Sequence, residues 1–257
     1  MRLLRTFEID TVCDVGSMDG ADALRFRRAL PTAEIIALEP SPRNFGMMAT
    51  NARLRNQRIR ALPLAASDRD SDAQFYVVSA DYSARGNPAF RGMSSLHRRS
   101  DGSVLAEVVR VRTVRLDSLL AGDDDGAGRR RVALWIDTEG MAFETISGAS
   151  GLLQRTQLLH VEVETQPCIG AAQKLLPDVE RILIEAGFVL LATDQPRTSM
   201  QLNALFVPAA LLHARAAEIR WHIASGQIRR RVRRTVVPML PTRLRRFLSR
   251  RANAVRT

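Results

Sequence analysis

Six acids and two glycines are the residues of this 257-residue chain whose types and spacing suit chemistry on a ligand. Asp14, Gly16 and Gly20 fall in the stretch Thr11 to Gly20, Thr-Val-Cys-Asp-Val-Gly-Ser-Met-Asp-Gly, where apolar strand residues run into a turn. Glycines reach backbone angles closed to other residues, and a turn at a helix start leaves N–H groups free to meet a ligand's polar end. The same residues also make an ordinary tight turn, so this stretch alone leaves a ligand site and a structural turn both open. The other acids, Glu39, Asp137 with Glu139, and Glu162 with Glu164, each close an apolar segment. In a parallel sheet such residues converge on the one edge where ligands of doubly wound folds bind.

Glu39 lies 19 residues beyond Gly20 at the end of the second expected strand, where a carboxylate accepts hydrogen bonds from the two hydroxyls of a ribose. It also precedes a helix expected from Pro42, but Ser41 suits that N-cap unaided, and ribose binding is the reading adopted. The spacing Asp14-x-Gly16-x-x-x-Gly20 differs from the Gly-x-Gly-x-x-Gly of dinucleotide sites. A carboxylate at its first position repels a pyrophosphate and suits a cationic ligand such as S-adenosylmethionine, whose amino group and sulfonium are both positive.

These residues need elements to hold them. Strand-like and helix-like segments alternate from the start: Ile9 to Val15, Ala21 to Leu30, Glu34 to Glu39, Pro42 to Leu54 and Ile59 to Ala66. This βαβαβ opening predicts a parallel sheet with helices on both faces. Alternation lapses after Ser67 into an insertion with strands at Ala73 to Ser79 and Val104 to Val114 around a loop, Asp81 to Gly102, placed near the site. Asp123 to Arg131 reads as a polar linker. Strands follow at Val132 to Asp137, Leu158 to Glu164, Phe188 to Thr193 and Gln201 to Val207, with helices at Ala142 to Leu153 and at Ala171 to Ala186, the latter interrupted or kinked by Pro177. Seven core strands result, with the insertion set aside.

Composition bounds the rest. At 46% hydrophobic residues the chain has material for a substantial core, and no apolar run approaches the roughly 20 residues that cross a bilayer. Met1 to Glu8 lacks the pattern of a secretory signal. Cys13 and Cys168 lie far apart without metal-ligand spacing, so both read as core filler in a reducing, cytoplasmic compartment, and no metal is expected. The net charge of +11 belongs to the tail, where 13 arginines face a single acid, Glu218, between residues 213 and 257. Ile228, Val232 and Val236, then Leu240, Leu244 and Leu248, stand four apart among those arginines, the pattern of two amphipathic basic helices. The expected organisation is therefore a domain over 1–212 and an Arg-rich helical extension over 213–257.

Several stretches together resemble the FkbM-type S-adenosylmethionine-dependent methyltransferases. They are Asp14 to Gly20, Glu39-Pro40-Ser41-Pro42 with Asn44, Phe45 and Asn51, Ala65 to Asp68, Gly-Met-Ser-Ser-Leu at Gly92 to Leu96, Val111 to Leu119, and Ile-Asp-Thr-Glu-Gly at Ile136 to Gly140. The resemblance implies an α/β class I, Rossmann-like seven-stranded methyltransferase sheet with a β insertion after the third strand. It implies a cofactor over Asp14, Gly16, Ser17 and Gly20, its ribose on Glu39 beside Pro40 and Ser41, and its adenine near Ala66, Ser67 and Asp68. Asp137 and Glu139 would lie beside the methyl donor, as carboxylates that take or orient the proton of an attacking hydroxyl. His160 is a second candidate base, or a satisfied core residue of an apolar strand.

The implied function is O-methylation of a glycan, glycolipid or secondary metabolite by a bacterial enzyme. A catalytically degenerate binding or scaffold protein is the alternative, because Met141-Ala142 stands where relatives carry a further acid. An oxidoreductase using a nicotinamide is disfavoured by Asp14. Only about ten residues precede the first strand, so the helix that closes over the cofactor in relatives is expected to be absent or replaced. For 227–251 the pattern favours peripheral contact with the inner face of a membrane over nucleic acid, for which the tail offers only Trp221 and Phe247 as stacking platforms, and a plain basic extension serving solubility or oligomer contacts stays open beside it.

Overall fold

The structure, a computed structural model, describes residues 1–78, 92–98, 106–121, 130–170, 172–215 and 217–219. In chain order its elements are α1 (Arg2–Thr6), β1 (Thr11–Val15), α2 (Ala21–Ala29), β2 (Glu34–Leu38), α3 (Pro42–Thr50), α4 (Ala52–Asn56), β3 (Arg60–Leu62), β4 (Leu64–Ala66) and β5 (Ser71–Val78). There follow β6 (Ala106–Val114), α5 (Leu116–Leu119), β7 (Val132–Ile136), α6 (Ala142–Ser147), a 3₁₀ turn (Leu152–Arg155), β8 (Thr156–Glu164), α7 (Leu176–Glu185), β9 (Phe188–Thr193), β10 (Gln201–Pro208) and α8 (Ala209–Ala214). The chain divides into two compact units, Met1–Leu211 and Leu212–Thr257. The linker acids Asp123 to Asp125, most of the Asp81 to Gly102 loop and the basic helices of 227–251 lie outside the described residues.

Seven strands form one mixed sheet in the order β3-β2-β1-β7-β8-β10-β9. The five from β3 to β8 run parallel, and β10 inserts antiparallel between β8 and β9. Order reverses between β1 and β7, so the carboxyl ends of those two strands border the crevice of a Rossmann-like sheet. Central strands covered on both faces must be apolar throughout, and β1 is buried at every position. One face joins Cys13, Val15, Ile36, Leu134, Ile136 and Val161 to Ala142 and Ile146 of α6 and Val179 and Leu183 of α7. Each such side chain stabilises by about 1.5–3 kcal/mol on burial. The opposite face of β1 and β7 carries Asp14 and Trp135 as register partners, and Phe26 of α2 meets the Trp135 ring edge-on at 5.2 Å.

The third strand departs from its expected single run. Pro63 has no N–H to continue a ladder, and the run breaks there into β3, which stays in the main sheet, and β4, which joins β6 and β5 in a second sheet. The insertion therefore packs beside the carboxyl ends of the main strands. The helix expected from Pro42 to Leu54 also divides, at Asn51, whose side chain accepts the Arg53 N–H at 3.0 Å and starts α4. The region expected from Ala171 is interrupted at Pro177, not kinked by it: the proline stands in the first turn of α7, where a missing N–H costs nothing. At the N-terminus α1 seats Leu4 in the core and ties Arg5 Nε to the Ala29 carbonyl at 2.8 Å.

The helix expected from Ala142 to Leu153 stops at Ser147 because Gly148 meets the backbone of the β4 end. A Cβ on Gly148 would lie 1.9 Å from the Ser67 carbonyl oxygen. Gly148→Ala is expected to destabilise the protein by about 3 kcal/mol through overpacking, whereas Gly46→Ala, where nothing lies within 4 Å, should stabilise α3 by about 0.5–1 kcal/mol. Urea denaturation of the two variants measures both signs.

Candidate active site

The turn after β1 clips three strand ends together. Gly16 N–H and Ser17 N–H both donate to the Leu38 carbonyl, at 3.0 and 2.9 Å, while Asp137 N–H donates to the Val15 carbonyl at 2.9 Å. Gly16 has φ +83°, and a Cβ there would lie 1.7 Å from the Asp137 carbonyl oxygen. Only glycine permits that approach. Ser17 Oγ then donates to Asp14 at 2.6 Å, and Met18, itself left-handed at φ 54°, donates its N–H to Glu39 at 2.8 Å. The other Glu39 oxygen accepts the Ser41 N–H at 2.9 Å and faces the Asn44 amide at 3.4 Å. Glu39 therefore bridges the first turn and the start of α3, whose N-cap is Ser41.

These residues border a cavity of about 310 Å³, the size of a small-ligand site. Asp14, Gly16, Ser17, Glu39, Pro40, Ala66 and Asp137, all anticipated from sequence, line it. Gly20, Ser41, Ser67, Asp68 and Glu139 are not among its lining residues. Gly20 caps α2 in the left-handed region, with the Leu54 side chain where its Cβ would be. Ser67 donates to Asp68, and both Asp68 oxygens bind Arg69 at 3.0 Å. Unanticipated lining residues are Met18, Asn44, Phe75, Leu96 and Trp135. Asn44 sits one turn into the helix that Ser41 caps, and Trp135 shares a strand face with Asp137, so both were within reach of a periodicity argument.

The lining joins apolar side chains, Leu64, Ala65, Phe75, Leu96 and Met141, to the acids Asp14, Asp19, Asp22 and Asp137, with Arg25 paired to Asp22. Burial pushes the Asp14 carboxyl up to about 7 and Glu39 likewise to about 7, against the lowering effect of their hydrogen bonds. Asp137 keeps surface open to the cavity, yet its carboxyl is raised by scarcity of water around it, tempered by a hydrogen bond with Glu162. Glu162 is pushed up to about 10, first by burial and then by the Asp137 charge. Ligand atoms of Asp137, Glu139 and Glu162 all fall within 4.8 Å of one another, and Gln201 Nε2 donates to Glu162 at 2.8 Å. Like charges this close do not all ionise, so Glu162 is the protonated member. His160 stacks on Trp135 at 3.5 Å and is lowered by burial to about 4, which keeps it neutral at pH 7.

Residues 14–190 match the family described as the Methyltransferase FkbM domain. The chain belongs to the FkbM methyltransferase family and is an S-adenosylmethionine-dependent methyltransferase. It is 27% identical over 186 residues, 66% of this chain and 72% of that protein, to the 2-O-methyltransferase NoeI of Sinorhizobium fredii (strain NBRC 101917 / NGR234). Similar solved structures include the methyltransferase FkbM of Methylobacillus flagellatus KT, with 11% identity, TM-score 0.43, and coverage of 77% of this chain and 44% of that one. Another is the magnesium protoporphyrin IX methyltransferase of Synechocystis PCC 6803 with bound SAM, with 12% identity, TM-score 0.42, and coverage of 81% and 77%. The donor set fits the cofactor: a cradle that a Cβ at Gly16 would fill, carboxylates for cations and hydroxyls, and apolar side chains for a purine.

Raised carboxyl pKa values make the protein's stability depend on pH in a fixed direction. Asp14 and Glu39 hold protons in the folded state that they release when unfolded, so their contribution is complete below about pH 4 and is lost as pH rises through about 7. His160 has the opposite effect, but only below its unfolded value of 6.5. Between pH 6.5 and 8 the melting temperature of cofactor-free protein should therefore fall, and Asp14→Asn should flatten that slope. Differential scanning calorimetry across the range checks it.

Proposed function

We propose that this protein transfers the methyl group of S-adenosylmethionine to a hydroxyl of a glycan, glycolipid or secondary metabolite. The observation that carries the reading is Asp137, paired with protonated Glu162, in the cavity wall directly beside the Gly16 turn. The cofactor supplies an electrophilic methyl on a sulfonium. Asp14, Gly16 and Ser17 hold its cationic end, Glu39 with Pro40 takes the ribose hydroxyls, and Ala66 with Phe75 and Leu96 encloses the adenine. Gly20 and Ser41 serve by shaping the two turns, and Ser67 and Asp68 stand behind the Ala66 wall.

An alcohol at its free pKa is a poor nucleophile, so the acceptor oxygen needs a base as it attacks. Asp137 is the ionised member of its pair and accepts that proton. Glu162 donates a hydrogen bond to it and keeps its orientation, and Glu139 stands within reach of both. The acid that relatives carry at position 142 is replaced by an alanine buried in the core, and Glu162 supplies a second carboxyl from the neighbouring strand. This favours an active enzyme over a degenerate binding module. The name of the Sinorhizobium relative, a 2-O-methyltransferase, supports an oxygen acceptor.

No helix among the described residues is long and apolar enough to cross a membrane. The division into a methyltransferase domain over 1–212 and an Arg-rich extension over 213–257 that meets an anionic membrane surface completes the proposal. Its test is sedimentation of the full chain with anionic vesicles and not with neutral ones; equal sedimentation contradicts membrane contact. For the site, Glu39→Ala should weaken cofactor binding by about 10- to 100-fold in titration calorimetry, the loss of charge-assisted hydrogen bonds worth about 1.5–3 kcal/mol. Asp137→Asn should keep binding and lose about 10²- to 10⁴-fold in methyl transfer, the range of a general base. Tritiated cofactor with pooled saccharide and lipid acceptors reads the transfer.

A further inference from the structure

Of the Gly-Met-Ser-Ser-Leu motif, Gly92 to Leu96, only Leu96 has been given a role above, as part of the adenine wall. Ser95 forms an isolated antiparallel bridge with Tyr76 of β5: Tyr76 N–H donates to the Ser95 carbonyl at 2.8 Å and Ser95 N–H returns a bond to the Tyr76 carbonyl at 3.2 Å. Gly92, Ser94 and Leu96 line the cofactor cavity, while Ser95 and His97 meet the loop that carries Asp137 and Glu139. Ser95 is 1% exposed. Its Oγ donates to the Glu139 carbonyl at 2.7 Å and accepts the His97 N–H at 3.0 Å, so both its hydrogen-bonding roles are filled.

That carbonyl is where the loop needs holding. Glu139 has φ 41° and Gly140 φ 85°, and a non-glycine residue avoids the left-handed region unless its surroundings fix it there. The His97 ring closes the other side: a Cβ on Gly140 would lie 3.2 Å from His97 Cδ2, and one on Gly170 would lie 3.1 Å from His97 Cβ. Pinning the Glu139 carbonyl fixes the peptide plane between Glu139 and Gly140. The direction of the Glu139 side chain toward Asp137 and Glu162 follows from that plane.

We propose that Ser95 is a positioning residue that transmits occupancy of the cofactor cavity to the Asp137–Glu139 loop. Ligand in the cavity immobilises Ser94 and Leu96, Ser95 between them is immobilised in turn, and its hydroxyl holds Glu139 in the left-handed conformation that aims the loop at the methyl. Cofactor thus completes the catalytic geometry before an acceptor arrives. The inference rests on the reading that Asp137 and Glu139 perform the transfer, but its test is independent of turnover.

Hydrogen exchange of the full-length protein, followed by mass spectrometry on a peptide covering residues 137–142, with and without S-adenosylhomocysteine, provides that test. In the wild type the ligand should slow exchange of this peptide about tenfold or more, as expected for suppression of local opening. Ser95→Ala should bind the ligand with wild-type affinity in calorimetry and lose the slowing, and Ser95→Thr, which keeps a hydroxyl, should restore it. If the alanine variant does not fold, Ser95→Cys keeps the volume with a weaker donor and should lose most of the slowing. Wild-type slowing retained in Ser95→Ala, loss of ligand binding itself, or no ligand effect in the wild type each overturns the proposal. Full methyl transfer by Asp137→Asn with the exchange pattern intact would overturn the catalytic reading and leave the coupling standing.

Discussion

The backbone contact between Gly16 and Asp137 is the constraint on which the rest of the structure depends. Two parallel strands, β1 and β7, end side by side at the point where the sheet reverses order, and their chains then come closer than any side chain allows. The contact places the β1 turn, whose N–H groups are spent on the Leu38 carbonyl, against the loop that carries the carboxylates. Glu39 joins from β2 through the Met18 N–H. Three consecutive positions of the sheet edge are thereby fixed relative to one another before any ligand is present, which is the preorganisation that transfer chemistry requires.

The same edge is electrostatically costly. Burial pushes Asp14 and Glu39 up to about 7, so that both titrate near neutral pH, and burial together with the Asp137 charge pushes Glu162 up to about 10. In the free protein, protons occupy the place of positive charge. On the proposed reading a cationic ligand beside Asp14 would reverse that balance, whereas a pyrophosphate would add to the repulsion. Sites commonly trade stability for function in this way. Asp68 and Asp10 illustrate the contrast: their arginine partners hold their carboxyls below the usual range.

Much of this was legible in the chain. The alternation of apolar runs with amphipathic segments fixes the order of the elements, and acids at successive strand ends mark the edge where they meet. Asp14, Glu39 and Asp137 could be singled out because strand ends in a parallel sheet converge. What the chain conceals is register and close approach. Glu162 is simply one more strand-end acid until β7 and β8 are aligned with Trp135 opposite His160, which sets Asp137 level with Glu162 two residues further on. Phe75 and Leu96 reach the cavity only because Pro63 diverts β4 into a second sheet, a break that the proline within the Ile59 to Ala66 run signalled. Asn51 likewise reads as helix interior until its side chain is seen capping α4. Gly20 is marked by spacing, and what the spacing does not reveal is that the Leu54 side chain fills the place of its Cβ.

The insertion is accordingly part of the site, since β4, β5 and the Gly92–Leu96 segment supply apolar lining while the strand ends of the main sheet supply carboxyls. The central claim is that one nucleoside ligand spans both, over the Gly16 turn. A crystal structure of the complex with S-adenosylhomocysteine tests it most directly. The account predicts ribose hydroxyls on the Glu39 carboxylate, the adenine between Phe75 and Leu96, and the sulfur facing Asp137; a ligand bound away from Glu39, or with its adenine beside Asp137, would contradict it.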